Sequence, residues 1–146
     1  WTEDNINIFA SANARVQFGL IDGNNSPSGD GTMVEQAAST GVVIDSVDCI
    51  NWGNGAFGVA AGATAKHTKC RAGKWKNDNG RGPSMSNGLI FAANPPCSYS
   101  VDATCIYSPD SNPNNVCWDQ SQMTAGRPTG PQAFTPRQPL NLPLPV

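Results

Sequence analysis

The chain has 146 residues, a formal net charge of −2 and only 14% charged residues, whereas charged residues make up about a quarter of a typical domain. This length predicts one ordinary domain with a sizeable core. Four tryptophans, five phenylalanines and the small net charge argue against disorder. No apolar run approaches the ~18 residues that a membrane-spanning helix needs, so no membrane span is expected in this piece.

The N-terminal segment 2–13 carries Glu3 and Asp4 ahead of an apolar run. Acidic residues favour the positive end of a helix dipole, so this pattern favours a short N-terminal helix. Ile6 and Ile8 also alternate as they would in a strand, and that alternative stays open. Residues 14–21 alternate between apolar and polar side chains and predict a half-buried strand.

Residues 22–31 are rich in turn formers, and they contain the sequon Asn24-Asn25-Ser26. Asn24 is therefore the glycosylation candidate, although Pro27 weakens the sequon. The strongest strand pattern covers 40–52, which is rich in β-branched residues and long enough for a bulge or bend. In a regular strand Asp45 and Asp48 would face opposite sides, because they are three residues apart.

Further strands are expected at 32–36, 86–93, 97–107 and 116–123. The small residues of 54–65 are expected to pack closely against another backbone. Many short strands separated by Gly, Asn and Pro turns predict an all-β fold, sandwich or barrel-like, over residues 1–123. No internal repeat is apparent.

The chain has five cysteines but neither a CxxC pair nor zinc-ligand spacing. These cysteines predict a disulfide-stabilised domain in an oxidising compartment, outside the cell or on its surface. The favoured pairing is Cys49–Cys70 with one further bridge among the remaining three, and the segment between Cys97 and Cys105 suits a short hairpin. The odd thiol is then either free and buried or bonded to another chain. The alternative is reduced cysteines that pack as small hydrophobes. The disulfide candidates are Cys49, Cys70, Cys97, Cys105 and Cys117.

Six of the nine lysines and arginines lie between residues 66 and 81. In a strand over 67–71, His67, Lys69 and Arg71 would share one face. Such a basic face can contact a partner subunit or an acidic glycan, or it can be only solvated. Nucleic acid is disfavoured by the negative net charge. The contact candidates are Lys66, Lys69, Arg71, Lys74, Trp75, Lys76 and Arg81.

The sequence offers no catalytic or cofactor motif. His67 is the single histidine, and no GxSxG, P-loop, GxGxxG or HExxH pattern occurs. The sequence therefore predicts no enzyme, no cofactor and no metal site.

Residues 124–146 contain six of the twelve prolines and predict an extended, proline-rich C-terminal tail. Leu140, Leu142 and Leu144 alternate with Asn and Pro and form one apolar edge, so they are also contact candidates. Such an edge is expected to dock either on its own domain or on a neighbouring subunit.

These features together favour a structural protein, a subunit of an extracellular filament, appendage, coat or matrix. Its partners would be copies of itself or other subunits. The alternative is a secreted module that binds a glycan or a receptor through Trp75, Trp52 or Trp118 and nearby polar groups. Size in solution separates the two hypotheses, because only the first requires assembly.

Overall fold

The computed structural model describes residues 4–23, 30–51, 55–73, 88–93, 97–109 and 123–138. These residues contain strands and no helix, which confirms that the protein is mainly β. Accordingly, the described part of the chain holds no apolar helix long enough to cross a membrane. The strands are β1 Ile6–Phe9, β2 Arg15–Asp22, β3 Thr32–Glu35, β4 Val42–Ile50, β5 Gly55–Ala60, β6 Thr64–Thr68, β7 Arg71–Gly73, β8 Gly88–Ala93, β9 Ser98–Val101, β10 Ile106–Tyr107 and β11 Met123–Ala125.

The predicted N-terminal helix is wrong, because Ile6–Phe9 forms the strand β1. The backbone N–H groups of Asn5 and Ile6 donate to the carbonyls of Asp30 and Gly31 at 3.0 and 3.2 Å. Ile8 is buried, in keeping with the alternation of isoleucines that the sequence already contained. Pairing with β3 therefore outweighs the weak helical preference of this short segment.

Every pairing among the described strands is parallel. One sheet has the order β1-β3-β5-β8, so each strand pairs with a later strand of the chain. Its register aligns Ile6, Thr32, Phe57 and Ile90, at separations of 26, 25 and 33 residues. A chain that returns to the same sheet at such intervals winds in stacked coils, the architecture of a parallel β-helix.

This architecture corrects the predicted sandwich or barrel, which would be built from antiparallel hairpins. The expected hairpin between Cys97 and Cys105 is also wrong. β9 pairs with β6 and β11, and β10 pairs with β7, so neither strand pairs with the other. The coils do repeat, but their unequal lengths and dissimilar residues leave no repeat in the sequence.

The second sheet is built around the long strand β4. β2 lies on one side of β4, while β6 and β7 on the other side pair with its first and second halves. β9 and β10 continue these two halves, and β11 follows β9.

Each coil turns at residues with positive φ, and these residues fall at the same register position in successive coils. Ala10, Gln36 and Ala61, with φ of 49°, 75° and 51°, follow directly after register partners of β1, β3 and β5. In the second sheet Phe18, Ser46 and Lys69 have φ of 56°, 58° and 52° at one common bend. Few non-glycine residues adopt this conformation, so its recurrence identifies the corners of the coil.

The core lies between the two sheets, where equivalent positions of successive coils stack. Ile8, Val34 and Val59 form one buried column, and their burial contributes about 1.5–3 kcal/mol for each large side chain. A second column aligns Ile44 with His67 in the opposite sheet.

The bend at Ser46 changes which side chains of β4 face inward. Ile44 and Val47 on either side of the bend are both fully buried in the core. Asp45 and Asp48 therefore both lie on the outer face, and the expectation that they face opposite sides is wrong.

Candidate functional site

The most elaborate polar arrangement in the described residues surrounds Asp48. Its side chain leaves the outer face of β4, yet it is completely buried. Arg71 from the adjacent strand binds it through two hydrogen bonds, Nε to Oδ1 at 2.7 Å and Nη2 to Oδ2 at 2.6 Å. This bidentate geometry is the strongest form of an arginine–carboxylate pair.

The C-terminal segment supplies the second partner of the carboxylate. The backbone N–H of Arg137 donates to Asp48 Oδ2 at 2.7 Å, and its guanidinium Nη1 binds Oδ1. Arg137 Nη2 also donates to the carbonyl of Lys69 at 3.2 Å. One buried negative charge is thus held between two arginines, which satisfies it far better than a single pair would.

The segment reaches Asp48 because it first follows the edge of the sheet. Thr129 forms a parallel bridge with Ile106, and its N–H donates to the carbonyl of Cys105 at 2.8 Å. Gln132 then donates its N–H to the carbonyl of Tyr107 at 2.8 Å. Residues 129–137 therefore lie as a strap over the outer face of their own coil stack. We refer to these residues as the C-terminal strap.

An aromatic contact adds to the strap. The guanidinium carbon of Arg71 lies 4.8 Å from the centroid of the Phe134 ring, a cation–π geometry. The same guanidinium donates from Nη2 to the carbonyl of Thr135 at 3.3 Å. Because Arg71 is held by Asp48, Phe134 and Thr135, its charge is used within the molecule.

A cleft of about 410 Å³ opens beside the strap. It is lined by Ile50, Gly73, Ser108, Pro109, Ala133, Phe134 and Pro136. This lining contains no acid or base, so among the described residues it offers apolar contact and one hydroxyl and not acid–base chemistry.

His67 is fully buried in the core and lies edge-on to Phe57, with ring centroids 5.6 Å apart. The predicted common face of His67, Lys69 and Arg71 is therefore wrong, because the bend at Lys69 separates them. Neither ring nitrogen has a hydrogen bond of normal geometry within the described residues. Burial lowers the pKa of His67 to about 4, although a contact with the backbone of Ser100 acts in the opposite direction.

The described cysteines are buried, and no disulfide joins any two of them. The structure does not show the expected bridge between Cys49 and Cys70, and both carry free thiols in it. Burial, followed by the nearby charges of Asp48 and Asp30, raises the pKa of the Cys49 thiol well above its ordinary value. These thiols pack as small hydrophobes, the alternative that the sequence had left open.

The remaining residues that the sequence predicted for contacts, glycosylation or disulfides fall into two groups. Lys66 and Lys69 are exposed on the outer face of the second sheet and at its bend. The others lie outside the described residues: Asn24, Lys74, Trp75, Lys76, Arg81, Cys117, Leu140, Leu142 and Leu144.

Sequence reasoning missed Asp48, Phe134 and Arg137 as members of one site. The only signal in the sequence for this site was Asp48 itself. An acidic residue next to a cysteine in a strong strand needs a polar partner if the fold buries it.

Comparisons of the chain with family models, curated proteins and solved structures gave no match.

Proposed function

We propose that the chain is a structural subunit of an extracellular filament, appendage, coat or matrix, assembled by continuation of its coil stack. The observation that supports this proposal is the edge of the first coil, on which no described strand is paired. Within the described residues β1 pairs only with β3, and β2 pairs only with β4. Unpaired strand edges are ready templates for pairing with another chain.

Two large apolar side chains near this edge strengthen the proposal. Phe9 at the end of β1 is 58% exposed and Phe18 at the bend of β2 is 66% exposed. They are the exposed large hydrophobic residues of the described part of the chain. Exposed aromatic side chains beside free backbone groups favour burial against a partner.

The partner is a second copy of this chain. Because all strands run parallel, β8 at the far side of the first sheet has the same direction as β1. A head-to-tail contact that joins β8 of one copy to β1 of the next therefore keeps every pairing parallel. Such a heterologous contact does not close on itself, and repetition produces a linear assembly.

The glycan-binding alternative has less support than the assembly proposal, because fewer of the predicted basic residues are available to a ligand. Lys66 and Lys69 are exposed, whereas the charge of Arg71 is balanced by Asp48.

Sedimentation velocity over a concentration series tests the assembly proposal. We expect species larger than a monomer to increase with concentration, and linear particles to be visible by negative-stain electron microscopy. A single monomeric species up to millimolar concentration, with no particles, would overturn it.

A further inference from the structure

Two buried thiols of adjacent coils lie side by side in the second sheet. Arg71 and Ile106 are register partners of β7 and β10, so the residues immediately before them, Cys70 and Cys105, also face one another. The N–H of Ile106 donates to the carbonyl of Cys70 at 2.9 Å, which fixes this alignment. Both side chains are fully buried in the same core cluster.

Neighbouring parallel strands are about 4.8 Å apart, and disulfides join residues whose Cα atoms are about 4.4–6.8 Å apart. The two side chains point into the same core. Both residues therefore have the spacing and the direction that a bridge requires. We propose that Cys70 and Cys105 close as a disulfide between two successive coils when the protein folds under oxidising conditions.

The bridge forms by thiol–disulfide exchange with an external oxidant. The Cys105 thiolate attacks a disulfide oxidant, such as oxidised glutathione, and releases one reduced thiol. Deprotonated Cys70 then attacks the Cys105 sulfur of the mixed disulfide and releases the second thiol. Two protein thiols are oxidised, and the oxidant takes up the two electrons and two protons.

The bridge replaces weak contacts only. Cys70 Sγ lies 3.4 Å from the carbonyl oxygens of Ile44 and Thr68, and these S–H contacts are lost on oxidation. Since both thiols are buried, the oxidant reaches them during folding, before the coils close. The proposal is independent of the assembly proposal, because it requires only one folded chain.

Chymotryptic mapping under non-reducing conditions tests the pairing. Cleavage after Phe57, Trp75, Tyr99 and Tyr107 places Cys70 in peptide 58–75 and Cys105 in peptide 100–107, while cleavage after Phe18 and Trp52 places Cys49 in peptide 19–52. After refolding in a glutathione redox buffer and alkylation, we expect peptides 58–75 and 100–107 to be linked, two hydrogens lighter than their sum. Alkylation of both cysteines, or a link between 58–75 and 19–52, would overturn the proposal.

A second measurement uses stability. The urea midpoint of the oxidised wild type should fall on reduction with dithiothreitol, whereas that of Cys105→Ala should not respond. Cys49→Ala is the matched control, since it removes another buried thiol and should keep the response to reduction. An equal response in Cys105→Ala and the wild type would contradict the assignment.

Discussion

The buried carboxylate of Asp48 shows how a single side chain can depend on a distant part of the chain. Its position on the outer face of β4 follows from local alternation and from the bend at Ser46. Its burial follows from Arg137, which lies 89 residues away in sequence. Removing its charge leaves two arginines without a counter-ion in a covered site.

Asp48→Asn should lower the free energy of unfolding by about 3–5 kcal/mol, the usual result of breaking a buried ion pair from one side. Urea denaturation at neutral pH measures this change. Asp45→Asn is the matched control, because Asp45 lies on the same strand with weaker contacts to Gln17 and Ser46. The control should change stability by less than about 1 kcal/mol. Equal losses in the two variants would show that the arginines do not depend on Asp48.

His67 makes stability depend on pH. Its pKa is about 4 in the folded protein and 6.5 in the unfolded chain, so protonation favours unfolding. The contribution of neutral His67 to the free energy of unfolding is fully present above pH 6.5 and is lost as the pH falls towards 4. Between pH 7 and pH 5 the wild type should lose about 2 kcal/mol from this residue alone. The His67→Phe variant should not show this loss of unfolding free energy between pH 7 and pH 5. The decisive measurement is the difference between the two urea-unfolding profiles, and parallel profiles would exclude His67 as the cause.

At the level of elements, the coils are held together by close approach between neighbouring segments. A Cβ on Gly31 would lie 2.5 Å from the carbonyl oxygen of Ala56 and in contact with the Cys49 sulfur. Gly31 thus fits between its own coil and the next one. Gly19 in β2, by contrast, has open space where a Cβ would lie.

Gly31→Ala should therefore destabilise the protein by about 1–3 kcal/mol, because backbone must move to admit the methyl group. Gly19→Ala should be neutral or slightly stabilising, since alanine restricts the unfolded chain. Thermal unfolding of the two variants side by side checks this prediction. A larger loss for Gly19→Ala would be incompatible with the packing described.

The sequence predicted the strands β2, β3, β4, β8, β9 and β10 but not their arrangement. Alternation located β2 and β4 closely, because burial of one face imposes a two-residue period. Alternation carries no information on which strand lies beside which. The coil corners use Ala10 and Gln36 at positive φ, and neither residue type favours that conformation. Within the site, Arg71 was predicted as a contact residue, but its partner Asp48 required the tertiary structure.

For the whole molecule, the stacked coils form a body with two different ends. Among the described residues, β1 and β2 of the first coil each pair with a single strand, and Phe9 and Phe18 are exposed beside them. The outer face of the second sheet is partly covered by the C-terminal strap. Self-association is therefore expected at the end of the stack and not on the strapped face.

The double variant Phe9→Asn and Phe18→Asn should reduce self-association without loss of stability. Asparagine tolerates positive φ, so the change at Phe18 also relieves backbone strain. Lys66→Ser is the control, because Lys66 is exposed on β6 away from the first coil. Light scattering at matched concentrations should show a lower average molar mass than the wild type for the double variant, and an unchanged one for Lys66→Ser. Unchanged association of that variant would rule out the first coil as the contact.

The C-terminal strap also has a mechanical consequence. Arg137 is anchored on β4, three strands of the sheet order away from β11, while Thr129 is anchored beside β10. Tension applied from residue 138 onwards meets the Asp48–Arg137 anchor before it reaches any strand of the stack. The ion pair thus shields the last coil from being peeled away, a property that suits the proposed role as a subunit of a linear assembly.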